Sequence, residues 1–174
     1  MYDFGDGNGA VEARRHSNGG GIVALTATVA DTAYIGKDAR VFGNAKVSGN
    51  AQVFENSWVF GDAQVFGNSK VSGKAHVYGH TEVFGKAHVF GKAQVYGNTQ
   101  IYGNAEVFEH AEISGYANVY ENAQIFGDAE VSENASIHGD SLVFGNARIY
   151  GDTEIYGDTK VSSDMSGNEQ IPSV

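Results

Sequence analysis

A valine or isoleucine recurs at every sixth position of this chain, from Val23 to Val161, in 24 consecutive instances. A small residue, usually alanine, follows four positions later, as Ala45 follows Val41. A glycine stands between the two in most units. A six-residue apolar period does not fit the 3.6-residue turn of an α-helix, in which glycine at this frequency is also costly. The period therefore excludes a helical fold.

Each six-residue unit is typical of a short strand followed by a corner. In Ala45-Lys46-Val47, neighbouring side chains point to opposite faces, so the alanine and the valine share one face. The next pair, Gly49-Asn50, tolerates a positive φ at little cost and suits a turn. Strands and corners that all turn the same way produce a coil, with the valines and isoleucines inside it.

Units such as Val59-Phe60-Gly61-Asp62-Ala63-Gln64 make the chain resemble the hexapeptide-repeat superfamily. The resemblance implies an all-β fold, a single left-handed parallel β-helix of about eight triangular rungs with 18 residues in each. The chain differs from the family pattern in one respect, because an aromatic residue often follows the aliphatic one directly and glycine comes one position later. This difference affects the expected form of the corner and leaves the coil unchanged.

The repeat also predicts how the chain is divided. We expect residues 1–22 to be an N-terminal cap segment, with Tyr2, Phe4 and Val11 covering the first rung. Residues 23–166 are the predicted β-helix, and residues 167–174 a C-terminal tail. Exposed strand edges invite pairing with other chains, so both ends of a solenoid need protection.

Composition excludes several classes of protein. The 174 residues suit one domain and contain no cysteine, which excludes disulfides and cysteine-based metal or redox sites. No apolar run is long enough to span a bilayer, and no secretion signal is visible, which predicts a cytoplasmic or virion-associated protein. Residues 1–100 carry a net charge of +1 and residues 101–174 one of −11. The acidic half disfavours nucleic acids and anionic membranes as partners.

Aromatic residues concentrate at one position of the repeat. Phe or Tyr occupies 15 of the 20 positions directly after the aliphatic residue, between Phe42 and Tyr156. Alternation points these rings outward, where they either stack into ladders that stabilise the coil or form a surface for another molecule. The interface candidates, which include two lysines of a basic band over residues 70–92, are Trp58, Phe84, Phe90, Tyr102, Leu142, Lys74 and Lys92.

Lys74 and Lys92 are 18 residues apart, so they should lie on the same corner of successive rungs. Two like charges held together repel unless an anion or a carboxylate lies between them. One interpretation is that this edge is solvated and that its lysines repel each other weakly. The other is that the band packs against the acidic rungs of a second copy of the chain.

Three histidines are the weak catalytic candidates. His76, His80 and His88 fall within about one rung and would serve as acid–base groups if the chain were an enzyme. In γ-class carbonic anhydrases of the superfamily, histidines from neighbouring subunits hold a metal, but no two repeat histidines here are 18 residues apart. We therefore expect the histidines to be solvated and the protein to hold no cofactor. Asp140 and Asp158, which are 18 residues apart, are weak metal-site candidates.

The sequence favours a non-enzymatic structural or protein-interaction module, a rigid β-helical prism that forms homo-oligomers, with a trimer favoured. Fold-level analogy places such unbroken arrays in bacterial or phage assemblies. The alternative is a homotrimeric hexapeptide-repeat acyltransferase or a γ-carbonic-anhydrase-like enzyme with a site between subunits. A further alternative, suggested by the acidic half, is a decoy for a nucleic-acid site on another protein.

Overall fold

The computed structural model describes residues 1–167 and 170–171, and all of its regular structure is β. Four strands precede or open the coil: β1 (Tyr2–Asp3), β2 (Ala10–Val11), β3 (Ala13–Arg15) and β4 (Ile22–Ala24). From β4 onward the chain follows three parallel sheets in turn, and each strand up to Leu142–Val143 pairs with the strand 18 residues further on. The predicted all-β, three-sided coil of about eight rungs is confirmed.

The three sheets are called walls 1, 2 and 3. Wall 1 contains β4, β7 (Arg40–Val41), β10 (Trp58–Val59), β13 (His76–Val77), β16 (Gln94–Val95), β19 (Glu112–Ile113), β22 (Glu130–Val131) and β25 (Arg148–Ile149). Wall 2 contains β5 (Thr28–Val29), β8 (Lys46–Val47), β11 (Gln64–Val65), β14 (Glu82–Val83), β17 (Gln100–Ile101), β20 (Asn118–Val119), β23 (Ser136–Ile137), β26 (Glu154–Ile155) and β28 (Gln170–Ile171). Wall 3 contains β6 (Tyr34–Ile35), β9 (Gln52–Val53), β12 (Lys70–Val71), β15 (His88–Val89), β18 (Glu106–Val107), β21 (Gln124–Ile125), β24 (Leu142–Val143) and β27 (Lys160–Val161).

The core is the aliphatic column of the repeat. From Val23 to Val161 every member is buried, and most have no exposed surface. The alanines of the unit lie in the same core. The serine and threonine hydroxyls that replace some of them are hydrogen-bonded. Ser141 Oγ, for example, donates to the backbone oxygen of His138 at 2.7 Å. The predicted inward position of the aliphatic residues is confirmed.

Corner residues explain why glycine is so common two positions after the aliphatic residue. At this position the backbone has a positive φ, which glycine adopts without strain. Glutamate occupies it four times, with φ of 59° or 60°. Each of these carboxylates accepts the N–H of the corner glycine one rung further on, as in the 2.9 Å bond from Gly151 to Glu133 Oε2. The others are Glu55, Glu109 and Glu121.

This arrangement predicts an unusual order of stability at Glu133. Glu133→Ala loses the bond to Gly151 and keeps the strained backbone, whereas Glu133→Gly loses the same bond and relieves the strain. We expect the glycine variant to be the more stable by about 1 kcal/mol in urea denaturation. At the next residue, Asn134, which lacks a positive φ, alanine should be the more stable variant, as is usual. An alanine variant more stable than the glycine variant at residue 133 would contradict this role of the carboxylate.

The N-terminal segment closes the first rung in a way that the sequence did not predict. Strand β3 pairs antiparallel with β4 and so covers the edge of wall 1. The loop at residues 16–21 bonds to the backbone of Ile35 at the start of wall 3. The rings of Tyr2 and Phe4 pack against the outer face of wall 1, and Val11 lies in the same cluster. Strands β1 and β2 hold them there as an antiparallel pair.

At the other end, the repeat continues after a two-residue deletion. Met165 pairs with Ile149 of wall 1, a separation of 16 residues instead of 18, and its side chain is buried. Strand β28 then pairs in parallel with β26 in the same shifted frame. It lies beyond residue 166, where the sequence placed the end of the β-helix. The remaining tail, 168–169 and 172–174, lies outside the described residues.

Candidate interaction surfaces

The outward rings form three ladders, one on each wall. Within a ladder the ring centroids are 4.6 to 5.6 Å apart and the planes lie within 17° of parallel. Wall 1 carries Phe42, Phe60, Tyr78 and Tyr96, wall 2 carries Phe66, Phe84, Tyr102, Tyr120, His138 and Tyr156, and wall 3 carries Phe90, Phe108, Phe126 and Phe144. The rings repeat at the rung spacing because the rungs are stacked in exact register.

Stacking leaves these rings half-buried and exposes their edges. Phe84, Phe90 and Tyr102 all have intermediate exposure, since each ring covers the face of the next. Burial raises the pKa of the Tyr102 hydroxyl above its ordinary value of 10.0, with Tyr120 and Glu121 adding to the effect. A ligand that recognises ring faces, such as a sugar, finds those faces already covered within a ladder. The ladders therefore offer ridges of ring edges, with hydroxyls where the ring is tyrosine.

Wall 3 has the most apolar ladder. Its four stacked rings are all phenylalanine, so none of them carries a hydroxyl. Leu142 lies on the same wall, in the column that precedes the aliphatic residue, and is half-buried. Of the interface candidates, Phe90 and Leu142 belong to this wall, whereas Phe84 and Tyr102 belong to wall 2 and Trp58 to wall 1. The candidates are thus distributed over all three walls.

Trp58 lies in a stack of its own on wall 1. The guanidinium of Arg40 lies over one side of the indole, 4.8 Å from its centroid, and the imidazole of His76 stacks 4.8 Å from it. Arg40 also lies 5.6 Å from the Tyr2 ring and donates from Nη1 to the backbone oxygen of Phe4 at 3.3 Å. The N-terminal segment and the repeat meet at this stack.

Lys74 and Lys92 lie on one corner, between walls 3 and 1, as the 18-residue spacing predicts. Both are exposed. Lys92 Nζ is 3.1 Å from His110 Nε2 on the next rung, and His110 Nδ1 is 3.8 Å from a carboxylate oxygen of Asp128. This corner thus changes from basic to acidic within a few rungs. The change follows that of the whole chain, whose second half is the acidic one.

The three candidate catalytic histidines are not brought together. His76 lies on wall 1, His80 on the corner between walls 1 and 2, and His88 on wall 3. The expectation that all of them are simply solvated is wrong for His76 and His88. Both are half-buried, the first against Trp58 and the second against Phe90 and Ser72.

A serine–histidine pair on wall 3 was missed from the sequence. Ser72 Oγ lies 2.9 Å from His88 Nε2, where serine interrupts the column of outward rings and the imidazole occupies the gap. The two residues are 16 apart, the same diagonal that joins Tyr96 to Glu112 and His138 to Glu154. A scan for polar residues at that separation would have found the pair.

The surroundings of Ser72 do not support acyl transfer. The side chain is 5% exposed, so a substrate has little access to its hydroxyl. The nearby backbone N–H groups, which would have to stabilise an oxyanion, are already bonded. Ser72 donates to Val89 O, Gly73 to Glu55 Oε2 and Lys74 to Gly91 O. The pair therefore serves to fill the gap between rings and to satisfy two polar groups.

His88 and His76 predict how stability depends on pH. Burial lowers the pKa of both imidazoles below the ordinary 6.5, and nearby Lys70 adds to the effect for His88. The unfolded chain therefore takes up protons first as pH falls, so their contribution is present above 6.5 and decreases towards the lower folded-state pKa. We expect the free-energy difference between the natural chain and His88→Gln to shrink from pH 8 to pH 5 in urea denaturation. The same difference for Gln64→Ala, which does not titrate, should stay constant, and a constant His88 difference would contradict the prediction.

The aspartates proposed for a metal lie on the corner between walls 2 and 3. Asp140 donates its backbone N–H to Gly157, beside Asp158, and its carboxylate accepts from Asn122 Nδ2 at 2.8 Å. Within residues 1–167 and 170–171 no group of three or more histidine, aspartate or glutamate side chains is placed to hold a metal ion. The Asp140–Asp158 site therefore stays a prediction with no further ligand in support.

The fold and its walls define a three-sided parallel β-solenoid with outward aromatic ladders. No protein-family model matches the chain, and a search of curated proteins finds no match to its sequence. The part of the chain that the structure describes contains no helix with the length and apolar character needed to cross a membrane.

Proposed function

We propose that this protein is a non-enzymatic rod that serves as a structural or protein-interaction module, with the left-handed coil of the hexapeptide-repeat superfamily. The observation that carries the proposal is the unbroken pairing of every rung with the next. From β5 to β27 each strand is two residues long and each corner keeps the same length, with no loop inserted among the described rungs. Active sites are usually built on such loops.

A rod of this kind holds surfaces at fixed separations. Eight rungs at the strand spacing give a length of about 38 Å. Parallel hydrogen bonds join neighbouring rungs on all three walls, so bending the rod would break bonds on at least one wall. The rigid frame supports a role in which the side chains of the walls and corners make the contacts.

We further propose that the partner includes other copies of the same chain. The basic corner residues Lys74 and Lys92 and the acidic rungs after residue 101 are complementary in charge. A second copy placed with its acidic rungs against this corner gains favourable electrostatic contacts, which salt screens. A homotrimer is the assembly that the superfamily resemblance favours.

Molecular mass by light scattering, measured from low to high salt, tests this proposal. We expect a defined multimer at low salt, and a lower mass when salt is raised or when Lys74 and Lys92 are both changed to glutamate. Lys46→Glu, an equally exposed lysine on wall 2, should leave the mass unchanged. A monomer under all conditions would overturn self-association.

The proposal that the protein is not an enzyme needs a separate measurement. An acyltransferase or a carbonic-anhydrase-like enzyme should show a rise in melting temperature with acetyl-CoA or with zinc, because ligands that bind the folded state stabilise it. We expect no such rise with either compound. A concentration-dependent rise that saturates would overturn the proposal in favour of the enzyme alternative.

A further inference from the structure

A groove lies where the N-terminal segment meets wall 1 and the corner between walls 3 and 1. It consists of two adjoining depressions that share Asp38, Arg40 and Asn56. We call it the basic groove, and the residues that matter for its chemistry are Arg15, Lys37, Asp38, Arg40, Trp58, Lys74 and His76.

The charge of the basic groove is opposite to that of the chain. Four of the eleven lysines and arginines line it, together with one carboxylate, Asp38, although the whole chain has a net charge of −10. Within the described ranges, none of these four cations lies within 4.0 Å of a carboxylate oxygen. Four cations that share one groove with a single carboxylate repel one another, so an anion in the groove would lower the free energy of the folded state.

Two of the four cations are held in place before any ligand arrives. The Arg40 guanidinium lies between the rings of Tyr2 and Trp58, and one of its N–H groups donates to Phe4 O. Arg15 donates from Nη1 to Gly20 O at 2.8 Å. A guanidinium has five N–H donors in a planar fork, so each keeps donors for an oxyanion. Preorganised donors bind more tightly, because less conformational entropy is lost on binding.

The groove suits an extended ligand that is recognised by its charge. The two sides of the Trp58 indole are covered by Arg40 and His76, so a nucleobase or a sugar has no free ring face to stack on. Residues 38, 56 and 74 occupy the same corner on three successive rungs. Two rung spacings extend about 10 Å, which exceeds a single phosphate and suits a short chain of negative groups.

We propose that the basic groove binds a small polyanion of the polyphosphate class, with Arg15, Lys37, Arg40 and Lys74 as its ligands. Arg40 and Arg15 bond to phosphate oxygens through their free N–H groups, and the two lysines neutralise charge at the two ends. The site shares Lys74 with the proposed self-association surface, whereas Arg15, Lys37 and Arg40 belong to the groove alone.

The single tryptophan of the chain lies in this groove and reports on it directly. We would titrate the full chain with tripolyphosphate at constant ionic strength and follow Trp58 fluorescence, with calorimetry as a second readout. The expected result is a saturable change with one site per chain. Pyrophosphate and orthophosphate should bind progressively more weakly, and citrate tests whether carboxylates replace phosphates. Equal affinity for orthophosphate and tripolyphosphate would overturn the extended site.

Variants assign the ligand positions. Lys37→Gln and Lys74→Gln should each weaken tripolyphosphate binding about tenfold, since each removes a charge-assisted contact. The side chains of both lysines are exposed, and their substitution leaves the backbone bonds of the fold in place. Circular dichroism checks that the variants fold. Lys160→Gln, an exposed lysine at the far end of wall 3, is the matched control and should bind as the natural chain does.

Three outcomes would overturn the proposal. They are the absence of saturable binding at constant ionic strength, equal affinity in the Lys37→Gln and Lys160→Gln variants, and equal affinity for orthophosphate and tripolyphosphate. If tripolyphosphate fails to bind and Lys37→Gln instead lowers the mass of an assembly at low salt, the groove is an interface with the acidic rungs of a second copy. That result would reject the polyanion site and leave the rod function standing.

Discussion

Ile101→Asp is expected to abolish cooperative folding. Ile101 is completely buried in the middle of the core column, between Val83 and Val119 on neighbouring rungs. An isolated carboxylate at such a position costs at least several kcal/mol, which is comparable with the total stability of a typical domain. Because each rung is stable only against its neighbours, a break in the middle removes support from both halves. Circular dichroism should detect no cooperative melting transition at neutral pH.

A graded series of substitutions at residue 101 tests whether the loss of stability follows from burial of the side chain. Ile101→Val should cost about 0.5–1.5 kcal/mol and Ile101→Ala about 2–5 kcal/mol. Gln100→Asp introduces the same carboxylate one residue earlier, where the side chain points away from the core. It should cost only about 1 kcal/mol, because it loses the 3.0 Å bond from Gln100 Nε2 to Glu82 and places two carboxylates on neighbouring rungs. If Ile101→Asp melted within a few degrees of Gln100→Asp, the aliphatic column would not line the interior.

Tyr102→Ser is expected to have the second largest effect. Tyr102 stacks on Phe84 at 4.8 Å and on Tyr120 at 4.9 Å, in the middle of the longest ladder. Stacked pairs contribute about 0.5–1.5 kcal/mol each, so the loss of two costs about 1–3 kcal/mol before the buried area is counted. Urea denaturation measures the change. Serine occurs naturally at this position of the repeat, as at Ser114, so the corner geometry tolerates it.

Tyr150→Ser is the matched control for the ladder. Tyr150 occupies the same position of the repeat on wall 1, but its side chain is 41% exposed and it makes no ring contact within the described part of the chain. The substitution should cost about 0.5 kcal/mol or less. Equal losses for Tyr102→Ser and Tyr150→Ser would mean that the stack itself does not stabilise the coil.

The repetitive part of the fold could be predicted from the sequence for a physical reason. Side chains alternate across a strand, so the choice of Val119 as an inward residue also determines that Asn118 and Tyr120 point outward. The 18-residue register then decides which rings meet, because Tyr102 and Tyr120 are one rung apart on the same wall. The alternation of side chains within a strand and the 18-residue register between rungs therefore agree throughout the repeat.

The ends could not be predicted in the same way, because a cap has no period. Phe4 packs on Phe42 at 4.6 Å through a contact between residues far apart in sequence, which no spacing rule connects. The basic groove was missed for the same reason, since Arg15 lies in the N-terminal segment whereas Lys74 lies on the third corner between walls 3 and 1. At the other end, the six-residue spacing of Met165 and Ile171 was a visible sign that the repeat resumes in a shifted frame.

Side-chain pairs on the walls depend on details that a period does not contain. The His88 imidazole lies against Ser72 because a serine interrupts the ring column at that point and leaves room for it. At Ser114, another interruption, the neighbouring Glu112 instead accepts a bond from the Tyr96 hydroxyl. The residue that fills a gap is determined by its length and its hydrogen-bonding groups, and the same gap therefore has different consequences on different walls.

Thiol labelling is the most direct test of the central claim, that the aliphatic column faces inward and the rings face outward. The chain has no cysteine, so single substitutions at 118, 119 and 120 give signals without background. We expect Asn118→Cys and Tyr120→Cys to react rapidly with a maleimide in the folded protein, and Val119→Cys to react only after denaturation. Rapid labelling at 119 combined with protection at 120, in protein that circular dichroism shows to be folded, would contradict the account.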